Sequence, residues 1–520
     1  MRENRLLSVV LSSAVLGIDA TLVEVEVDIS NGLPRFNIVG LPDTACSESA
    51  DRVSAAIKNS GFPFPAKRIT VNLAPADLKK QGSAFDLATA IGILVANGTL
   101  VKDSIADMVF CGELSLDGRL RGVSGILPRA VWLLSETPAK SFVISHENAK
   151  EASCARGLTV HPAKTLSQVV NFLKGKEKLI YDAAGVPKDS SPKSRFSHKY
   201  LDFSDIKGQW HAKRGLEIAA AGQHNVLLIG PPGAGKTMLA KRLPTILSSI
   251  TFDEAIQTTK IHSVAGLLSE KSALVESRPF RDPHHTISNA AMVGGGSYPR
   301  PGEVSLAHNG VLFLDELAEF RRDVLEVLRQ PLEEGKITIS RAASSLTLPA
   351  RFMLVAAMNP CPCGYFTDPK KECHCTPLQI KNYMSKISGP LLDRIDIQLE
   401  VPRLNLNEIT GRIAAEASSV IRQRVEEARS RQRSRYTSEK ILSNSELEPR
   451  QLEKYCAVSK EGEALLKMAI QELGFSARAY HKALKVARTI ADLEGCASIT
   501  EAHVSESIHY RALDRNVWFK

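Results

Sequence analysis

Hydrophobic and polar positions divide the chain into three blocks and one polar stretch. Apolar and polar residues alternate in TLVEVEVDIS and RITVNLA, which predicts half-buried strands, and MVFCGELSL and KSFVIS are further strand candidates. Apolar residues recur at helical spacing in SESADRVSAAIKNSG and FDLATAIGILVANG. Strands and helices mixed in this way predict a compact α+β domain over residues 1–174.

The remaining chain predicts a linker and two further regions. Residues 175–200 are polar, contain two prolines and have no sustained apolar period, which is typical of a linker. Residues 201–401 open with a strand, a glycine-rich turn and a helix, as in a parallel-sheet nucleotide-binding unit. Helical periodicity dominates residues 402–520 and predicts a helical lid. The expected fold class is therefore α/β, with a parallel sheet flanked by helices, an amino-terminal α+β domain and a carboxy-terminal lid.

The segment GPPGAGKT has the pattern of a phosphate-binding loop between a strand, VLLI, and a helix, MLAKRL. Its glycines allow backbone amides to curl around phosphate oxygens at the helix N-terminus. Lys236 is predicted to reach the β and γ phosphates of ATP, and the Thr237 hydroxyl to ligate Mg²⁺. The predicted nucleotide-binding residues are Gly230, Pro231, Pro232, Gly233, Ala234, Gly235, Lys236 and Thr237.

Two more strands end in polar residues that suit the same site. The apolar run VLFL ends in Asp315 and Glu316, which we assign to the Mg²⁺ shell and to the general base that polarises the attacking water. The strand RFMLVAAMNP ends at Asn359, a neutral group that could orient this water. The predicted reaction is in-line attack of water on the γ phosphate of Mg-ATP.

Two arginines are candidates for stabilising the γ phosphate. Arg394 lies before a strand in SGPLLDRIDIQLEV and is the better candidate for a finger that enters a neighbouring subunit's site. Arg478, at the start of a lid helix, is predicted to contact the γ phosphate in its own subunit. The alternative for either residue is an exposed salt-bridge partner.

Four of the nine cysteines lie close together, at Cys361, Cys363, Cys373 and Cys375. Two thiolate pairs separated by nine residues could close a tetrahedral structural Zn²⁺ site after the third strand, although C-x-C is tighter than the usual spacing and free thiols are the alternative. The adjacent histidines His284 and His285 are also of a metal-ligand type, but they should point to opposite sides of an extended segment.

The composition of the chain indicates its class of protein, its compartment and the charge of its partners. Hydrophobic residues form 43% and charged residues 24% of the chain, as in globular proteins, and no apolar run is long enough to span a membrane. Nine cysteines are too few for a disulfide scaffold, which favours a reducing cytoplasm. The net charge of +9 favours a polyanionic partner through counterion release, although mildly basic enzymes without such a partner are nearly as common.

These elements in this order resemble the magnesium-chelatase-like branch of the AAA+ ATPases, and within it the ComM/YifB family of competence-related ATPases. The matching stretches include GLPDTACSESADRV, NLAPADLKKQGSAFDLA, RPFRDPHHTISNAAMVGGGSYPRPGEVSLAHNGVLFLDEL, AAMNPCPCGY and SARAYHKALKVARTIADL. The resemblance implies a homo-hexameric ring that moves along single-stranded or branched DNA. The resemblance further implies that the ring drives branch migration during homologous recombination in natural transformation.

The resemblance also implies two loops that point into the pore of the ring. Tyr298 and Arg300 lie on GGGSYPRPGE, and Arg341 lies near the tip of GKITISRAASSLTLPARF. The alternation in KITIS and SLTLP independently predicts that the second loop is a β-hairpin. Aromatic and arginine side chains in a pore suit sequence-independent contact with bases and phosphates. A structural hairpin packed between subunits is the alternative.

The first domain resembles the catalytic domain of Lon protease through LKKQGSAFDLATAIGIL and CGELSLDGRLRGVSGILPRAV. An ATP-dependent protease is therefore an alternative function. However, Ala84 stands where that family has its nucleophilic serine, with Ser83 one position early, and Leu127 stands where it has the partner lysine. The loss of both groups leaves neither nucleophile nor base, so we expect no peptidase activity. The main alternative is a chelatase-type subunit that uses the same core to remodel a protein partner.

Overall fold

The computed structural model describes residues 6–80, 82–181, 201–268, 273–295, 300–341, 344–366, 368–405, 408, 415–439 and 441–511. The chain folds as two compact units. The first comprises Met1–Ser190 with Phe252–Val275, and the second comprises Ser191–Thr251 with Glu276–Lys520. The predicted fold class is confirmed, because a parallel sheet with flanking helices and a carboxy-terminal helical region follow a β-rich amino-terminal domain.

The first unit is built on a seven-stranded sheet. The strands of the unit, of which seven form this sheet, are β1 (Leu6–Leu16), β2 (Asp19–Ser30), β3 (Arg35–Val39), β4 (Arg68–Ala74), β5 (Met108–Cys111), β6 (Glu113–Leu114), β7 (Leu120–Arg121), β8 (Ser141–Ser145) and β9 (Thr159–Ala163). The sheet order is β3-β4-β2-β1-β5-β8-β9, and β6 pairs with β7 separately. The helices before residue 190 are α1 (Thr44–Ser47), α2 (Ser49–Asn59), α3 (Asp86–Ala96), α4 (Ile126–Glu136), α5 (Ala149–Ala152) and α6 (Leu166–Leu173).

Helix α3 fills the core of this unit. Its largely apolar sequence is buried almost throughout and packs on β1 and β2. The approach is close, because a Cβ added at Gly92 would lie 2.6 Å from the side chain of Val27. The hydroxyl of Ser8 donates a hydrogen bond to the carbonyl of Gly92 at 2.7 Å. The alternation predicted for β2 thus supports a sheet that buries this helix against one face.

The first unit departs from the predicted boundaries in two places. Leu179 packs in its core, although it lies in the predicted linker, and residues 182–200 of that linker lie outside the described residues. Residues 252–275 belong to this unit, although the chain around them belongs to the other. The Arg156 guanidinium lies 4.0 Å over the ring of Phe252, and the Ser263 hydroxyl donates to the buried Glu151 carboxylate. Helical periodicity shows that a face is buried but not which domain covers it.

A five-stranded parallel sheet forms the centre of the second unit. Its strands are β10 (Val226–Ile229), β11 (Phe280–Arg281), β14 (Val311–Leu314), β17 (Met353–Met358) and β18 (Ile397–Glu400), in the order β11-β14-β17-β10-β18. Two antiparallel pairs stand apart from it, β12 (Gly294–Gly295) with β13 (Arg300–Pro301), and β15 (Lys336–Arg341) with β16 (Ser344–Pro349). Because β10, β14 and β17 are parallel neighbours, their carboxyl ends meet at one edge of the sheet.

The helices after residue 201 belong to the second unit, apart from one that belongs to the first. In chain order they are α7 (Trp210–Gly222), α8 (Lys236–Arg242), α9 (Phe252–Val264, in the first unit), α10 (Asn289–Val293), α11 (Glu303–Leu306), α12 (Arg322–Glu326), α13 (Arg329–Glu334), α14 (Pro377–Met384), α15 (Gly389–Leu392), α16 (Ser418–Arg435), α17 (Pro449–Tyr455), α18 (Lys460–Leu473), α19 (Ala477–Leu493) and α20 (Glu501–His509). Among the described residues, none of these helices is both long and apolar enough to cross a membrane.

The carboxy-terminal helices share a core with the sheet. Val425 on α16 and Val486 on α19 are buried in the same apolar cluster as the strand residue Val226. At the other end of α19, the buried carboxylate of Asp492 lies 3.0 Å from Arg488 and also pairs with Arg435. The predicted lid is therefore part of the second compact unit.

Candidate active site

The predicted phosphate loop joins β10 to α8 at the carboxyl edge of the parallel sheet. Gly233 and Gly235 have φ values of 77° and 96°, a region that glycine enters without steric cost. A Cβ at Gly230 would lie only 2.1 Å from the carbonyl oxygen of Val401, so the chain after β18 leaves no space for a side chain there. These constraints produce a turn with free space above Gly233 and Gly235, followed by a helix N-terminus that suits an anion.

Lys236 lies inside this loop. Its ammonium donates to the carbonyl of Gly230 at 2.6 Å and to Oδ1 of Asn359 at 3.0 Å. Burial lowers the pKa of Lys236 to about 8, and the Asp315 carboxylate offsets part of this effect. A phosphate beside the ammonium would favour its charged form. The structure thus brings together two residues predicted from separate strands.

Thr237 and Asp315 converge beside the lysine. The Thr237 hydroxyl donates to Oδ2 of Asp315 at 2.7 Å, so two oxygen atoms of the kind that Mg²⁺ prefers lie together. Glu316 has a φ of 53°, an uncommon conformation for a residue with a side chain, and its amide donates to Oδ1 of Asp315 at 2.9 Å. This turn leaves 60% of the Glu316 side chain exposed, where it can reach water. Strained backbone of this kind clusters at functional sites.

His285 lies beside the predicted base and was not predicted as a site residue. Its Nδ1 lies 3.4 Å from Oε2 of Glu316. The rings of His284 and His285 are 4.1 Å apart, so the expectation that they point to opposite sides is wrong. The extended-strand argument fails because a turn follows: the Ile287 amide donates to the His284 carbonyl at 3.0 Å.

Gln209 is a second site residue that sequence reasoning missed. Its amide nitrogen donates to the carbonyl of Ala234 in the phosphate loop at 3.2 Å and to that of Pro402 at 2.7 Å. It therefore joins the loop to the chain that follows β18. Both partners are backbone carbonyls of distant segments, so no local pattern signals this contact.

Arg394 and Arg478 lie at the opposite edge of the sheet from the phosphate loop. Both line a cavity of about 780 Å³, and so do Asn225 and Gly310, which precede the strands β10 and β14. Asn225 and Gly230 are five residues apart along a strand, or about 16 Å. An arginine side chain is shorter than this distance, so neither Arg394 nor Arg478 reaches the phosphate loop of its own chain.

Acidic partners hold both arginines at this cavity. Arg394 pairs with Glu333, and Nη1 of Arg478 lies 3.3 Å from Oδ2 of Asp393. This placement differs from the prediction that Arg478 acts within its own subunit. The difference arises because α19 begins at the amino edge of the sheet, where Lys482 bonds the Ile395 carbonyl at 3.0 Å.

The four clustered cysteines face one another on the loop after β17. The Cys361 sulfur lies 3.3 Å from that of Cys363 and 3.7 Å from that of Cys373, and all four sulfurs, including that of Cys375, lie within 4.8 Å of one another. None of these thiols is in a disulfide. Tetrahedral zinc with sulfur ligands has sulfur atoms about 3.8 Å apart, so this donor set fits such a metal.

The two predicted pore loops lie next to each other. Arg300 is exposed at the start of β13, and Arg341 ends β15 opposite Ser344, so the hairpin predicted from alternation is present. Tyr298 lies outside the described residues. A Cβ at Gly294, on the paired strand β12, would lie 3.0 Å from Ile339 of the hairpin.

In the Lon-like segment of the first unit, the positions predicted for a serine–lysine pair hold other residues with other contacts. The Ser83 hydroxyl donates to the carboxylate of Glu113. Leu127 is fully buried in the position predicted for the lost lysine, and Ala84 is buried as well.

Comparison with known proteins places nearly the whole chain in one family. Residues 202–409 match magnesium chelatase, subunit ChlI; residues 25–148 match subunit ChlI of Mg-chelatase; and residues 415–511 match the ChlI C-terminal region. The chain is 48% identical over 514 residues to competence protein ComM of Haemophilus influenzae, with 98% of each chain covered. It is 44% identical over 510 residues to YifB of Escherichia coli, again with 98% of each covered. Lon protease 2 of Bacillus subtilis is 30% identical over 154 residues, which cover 27% of this chain and 26% of that protein. The chain belongs to the ComM/YifB family of magnesium-chelatase-like AAA+ proteins.

Proposed function

We propose that this chain is a cytoplasmic ATPase that hydrolyses ATP at the loop Gly230–Thr237. The observation that carries the proposal is the convergence of Lys236, Thr237, Asp315 and Asn359 at one sheet edge. Magnesium held by Thr237 and Asp315 would neutralise charge on the phosphates. The chain's own groups bind the phosphates, orient water and accept its proton.

Each residue has a separate role in this reaction. The Lys236 ammonium binds the terminal phosphates and is kept near them by its bond to Asn359. The Asn359 amide orients the attacking water. The Glu316 carboxylate, exposed on its strained turn, accepts the proton of that water.

We propose further that copies of the chain assemble head to tail, as a homo-hexameric ring. Arg394 and Arg478 would complete the site of a neighbouring copy, since they lie at the sheet edge opposite their own phosphate loop. A head-to-tail interface puts one sheet edge against the other, and a closed series of such interfaces is a ring. Guanidinium groups supplied from a neighbour stabilise charge on the γ phosphate and couple hydrolysis between copies.

The polymer that the ring moves is proposed to be single-stranded or branched DNA, in branch migration during recombination. The close approach of the strand pairs β12–β13 and β15–β16, which carry Arg300 and Arg341, supports this. Arginine residues in these two loops, with Tyr298 in the sequence of the first, are of the types that contact phosphates and bases without regard to sequence. The similarity to a competence protein and the net charge of +9 support it as well. The four cysteines are proposed to bind one structural Zn²⁺.

A second candidate function is a chelatase-type subunit that remodels a protein partner, which the match to magnesium chelatase subunit ChlI favours. One experiment separates the two. ATP hydrolysis is measured with and without DNA, together with displacement of a branched DNA, for the wild type and Glu316→Gln. Stimulation by DNA and displacement that Glu316→Gln abolishes would support the DNA motor. Hydrolysis that DNA leaves unchanged, with branches intact, would reject the DNA role and keep the ATPase. A wild type without hydrolysis would reject both.

A further inference from the structure

The loop that carries the cysteines begins at the ATP site. We call residues 361–375 the cysteine loop. Asn359, which contacts Lys236, directly follows β17 and lies two residues before Cys361. In the described part of residues 361–375 there is no helix or strand. The conformation of the loop therefore depends on links between its own residues and on its contacts with neighbours.

One contact of the cysteine loop is with the phosphate loop. Gly364, three residues after the buried Cys361, has a φ of 84°. A Cβ added there would lie 2.6 Å from Cδ of Pro232 and 3.8 Å from Cγ of Asn359. The backbone at Gly364 thus lies directly against the turn that would enclose the phosphates. Only a residue without a side chain allows this approach.

A second contact joins the cysteine loop to the chain that follows β18. The buried carboxylate of Asp368 lies 3.5 Å from Nη2 of Arg403. Arg403 is two residues after Val401, whose carbonyl oxygen fills the space beside Gly230. The Arg403 guanidinium also lies 5.9 Å over the ring of Tyr365 in the cysteine loop. The loop therefore contacts the phosphate loop at Pro232 and supports the strand end at Gly230.

The sulfur cluster brings the two ends of the cysteine loop together. Cys361 and Cys363 lie at its beginning, Cys373 and Cys375 lie at its end, and the sulfurs of Cys363 and Cys373 are 3.6 Å apart. A metal ion bound to the sulfurs would restrain the segment that contains Gly364. Without the metal, these thiols contribute only weak hydrogen bonds to that restraint.

We infer that the metal–thiolate cluster positions the nucleotide site: a zinc-type ion on the four cysteines holds Gly364 against Pro232 and Asn359 against Lys236. This inference rests on the proposed ATPase and deepens it. The cluster lies outside the reacting groups, so its residues are positioning residues. Its loss should weaken nucleotide binding and slow hydrolysis while the fold of the chain persists. A displacement of about 1 Å at such a site costs on the order of a hundredfold in rate.

The test uses the full chain and two variants that perturb the cluster and its contact separately. Cys373→Ser removes a ligand, whereas Gly364→Ala keeps all ligands and pushes on Pro232. Metal content is measured by elemental analysis, affinity with a fluorescent ATP analogue, kcat and KM by phosphate release, and folding by thermal unfolding. Gly474→Ala is the matched control for Gly364→Ala, because Gly474 has a φ of 70° but open space around it. Cys46→Ser is the control for a free thiol outside any group of metal-ligand type among the described residues.

We expect the wild type and both controls to hold one metal ion and to bind the nucleotide equally. Cys373→Ser should lose the metal and, with it, about a hundredfold in kcat. Gly364→Ala should keep the metal and weaken nucleotide binding about tenfold, because the metal alone cannot restore the displaced turn. A folded Cys373→Ser variant without metal but with wild-type binding and kcat would overturn the inference. A wild type that binds nucleotide without holding any metal would overturn it while leaving the ATPase intact. A wild type that binds no nucleotide would instead reject the proposed function.

Discussion

Raising the pH from 7 to 9 is expected to weaken ATP binding about tenfold, because the free protein's Lys236 loses its proton in this range. Burial holds the pKa of this ammonium at about 8, well below its ordinary value of 10.5. At pH 7 about nine molecules in ten carry the charge, and at pH 9 about one in eleven does. A bound phosphate raises the pKa again, so the charged form binds and the neutral form must first take up a proton. This tenfold loss of affinity between pH 7 and pH 9 corresponds to about 1.4 kcal/mol of binding free energy.

Calorimetric titration of Mg-ATP into the Glu316→Gln variant measures this effect without consuming the nucleotide. In buffers of different ionisation enthalpy, binding at pH 8 should take up about half a proton. Whereas ATP affinity falls as the pH rises, the free energy of unfolding of the free protein should increase. The unfolded chain binds the Lys236 proton up to pH 10.5 and the folded chain only up to about 8, so this group adds stability as pH rises between those values.

Lys236→Arg is the control for this titration. Its guanidinium stays charged throughout the range, so its affinity, although lower, should be flat from pH 7 to 9. Equal affinity of the parent protein at pH 7 and 9, or an equal fall in the arginine variant, would refute the role given to this lysine.

Three substitutions test other parts of the site and its support. Gly230→Ala places a Cβ 2.1 Å from the Val401 carbonyl, so nucleotide affinity should fall about a hundredfold in a chain that still melts cooperatively; unchanged affinity would contradict the close approach. His285→Ala removes the ring beside Glu316 and should lower kcat about tenfold with little change in nucleotide affinity, as single-turnover kinetics would show. Asp492→Ala leaves the buried Arg488 and the partly exposed Arg435 without their carboxylate and should cost about 3–5 kcal/mol in urea unfolding, whereas a loss below 1 kcal/mol would show that the pairs contribute little.

The parts that were predictable from sequence are those with local causes. The apolar runs before Gly230, Asp315 and Asn359 are buried strands, as expected for short runs of four or more apolar residues that are followed by glycine or a polar residue. The period-two pattern around Arg341 likewise produced the expected hairpin. These features depend on neighbours in sequence.

The features that escaped prediction depend on packing between distant segments. Nothing near Arg478 shows that its helix begins at the amino edge of the sheet, because a lid arginine has the same local pattern at either edge. Residues 252–275 belong to the first unit because they contact Glu151 and Arg156, which lie more than ninety residues earlier in the chain. Cysteine spacing identified the cluster, but its contact with Pro232 arises from the path of the backbone at Gly364.

Mixing two inactive variants tests the shared active site most directly. Lys236→Ala lacks a working phosphate loop and keeps its arginines, whereas Arg394→Ala lacks the arginine and keeps its loop. If Arg394 completes a neighbour's site, a one-to-one mixture contains both intact parts at about a quarter of its interfaces, and ATP hydrolysis should recover to a comparable fraction of the wild-type rate. If each chain hydrolyses ATP with its own arginine, the mixture will show only the average of the two inactive variants.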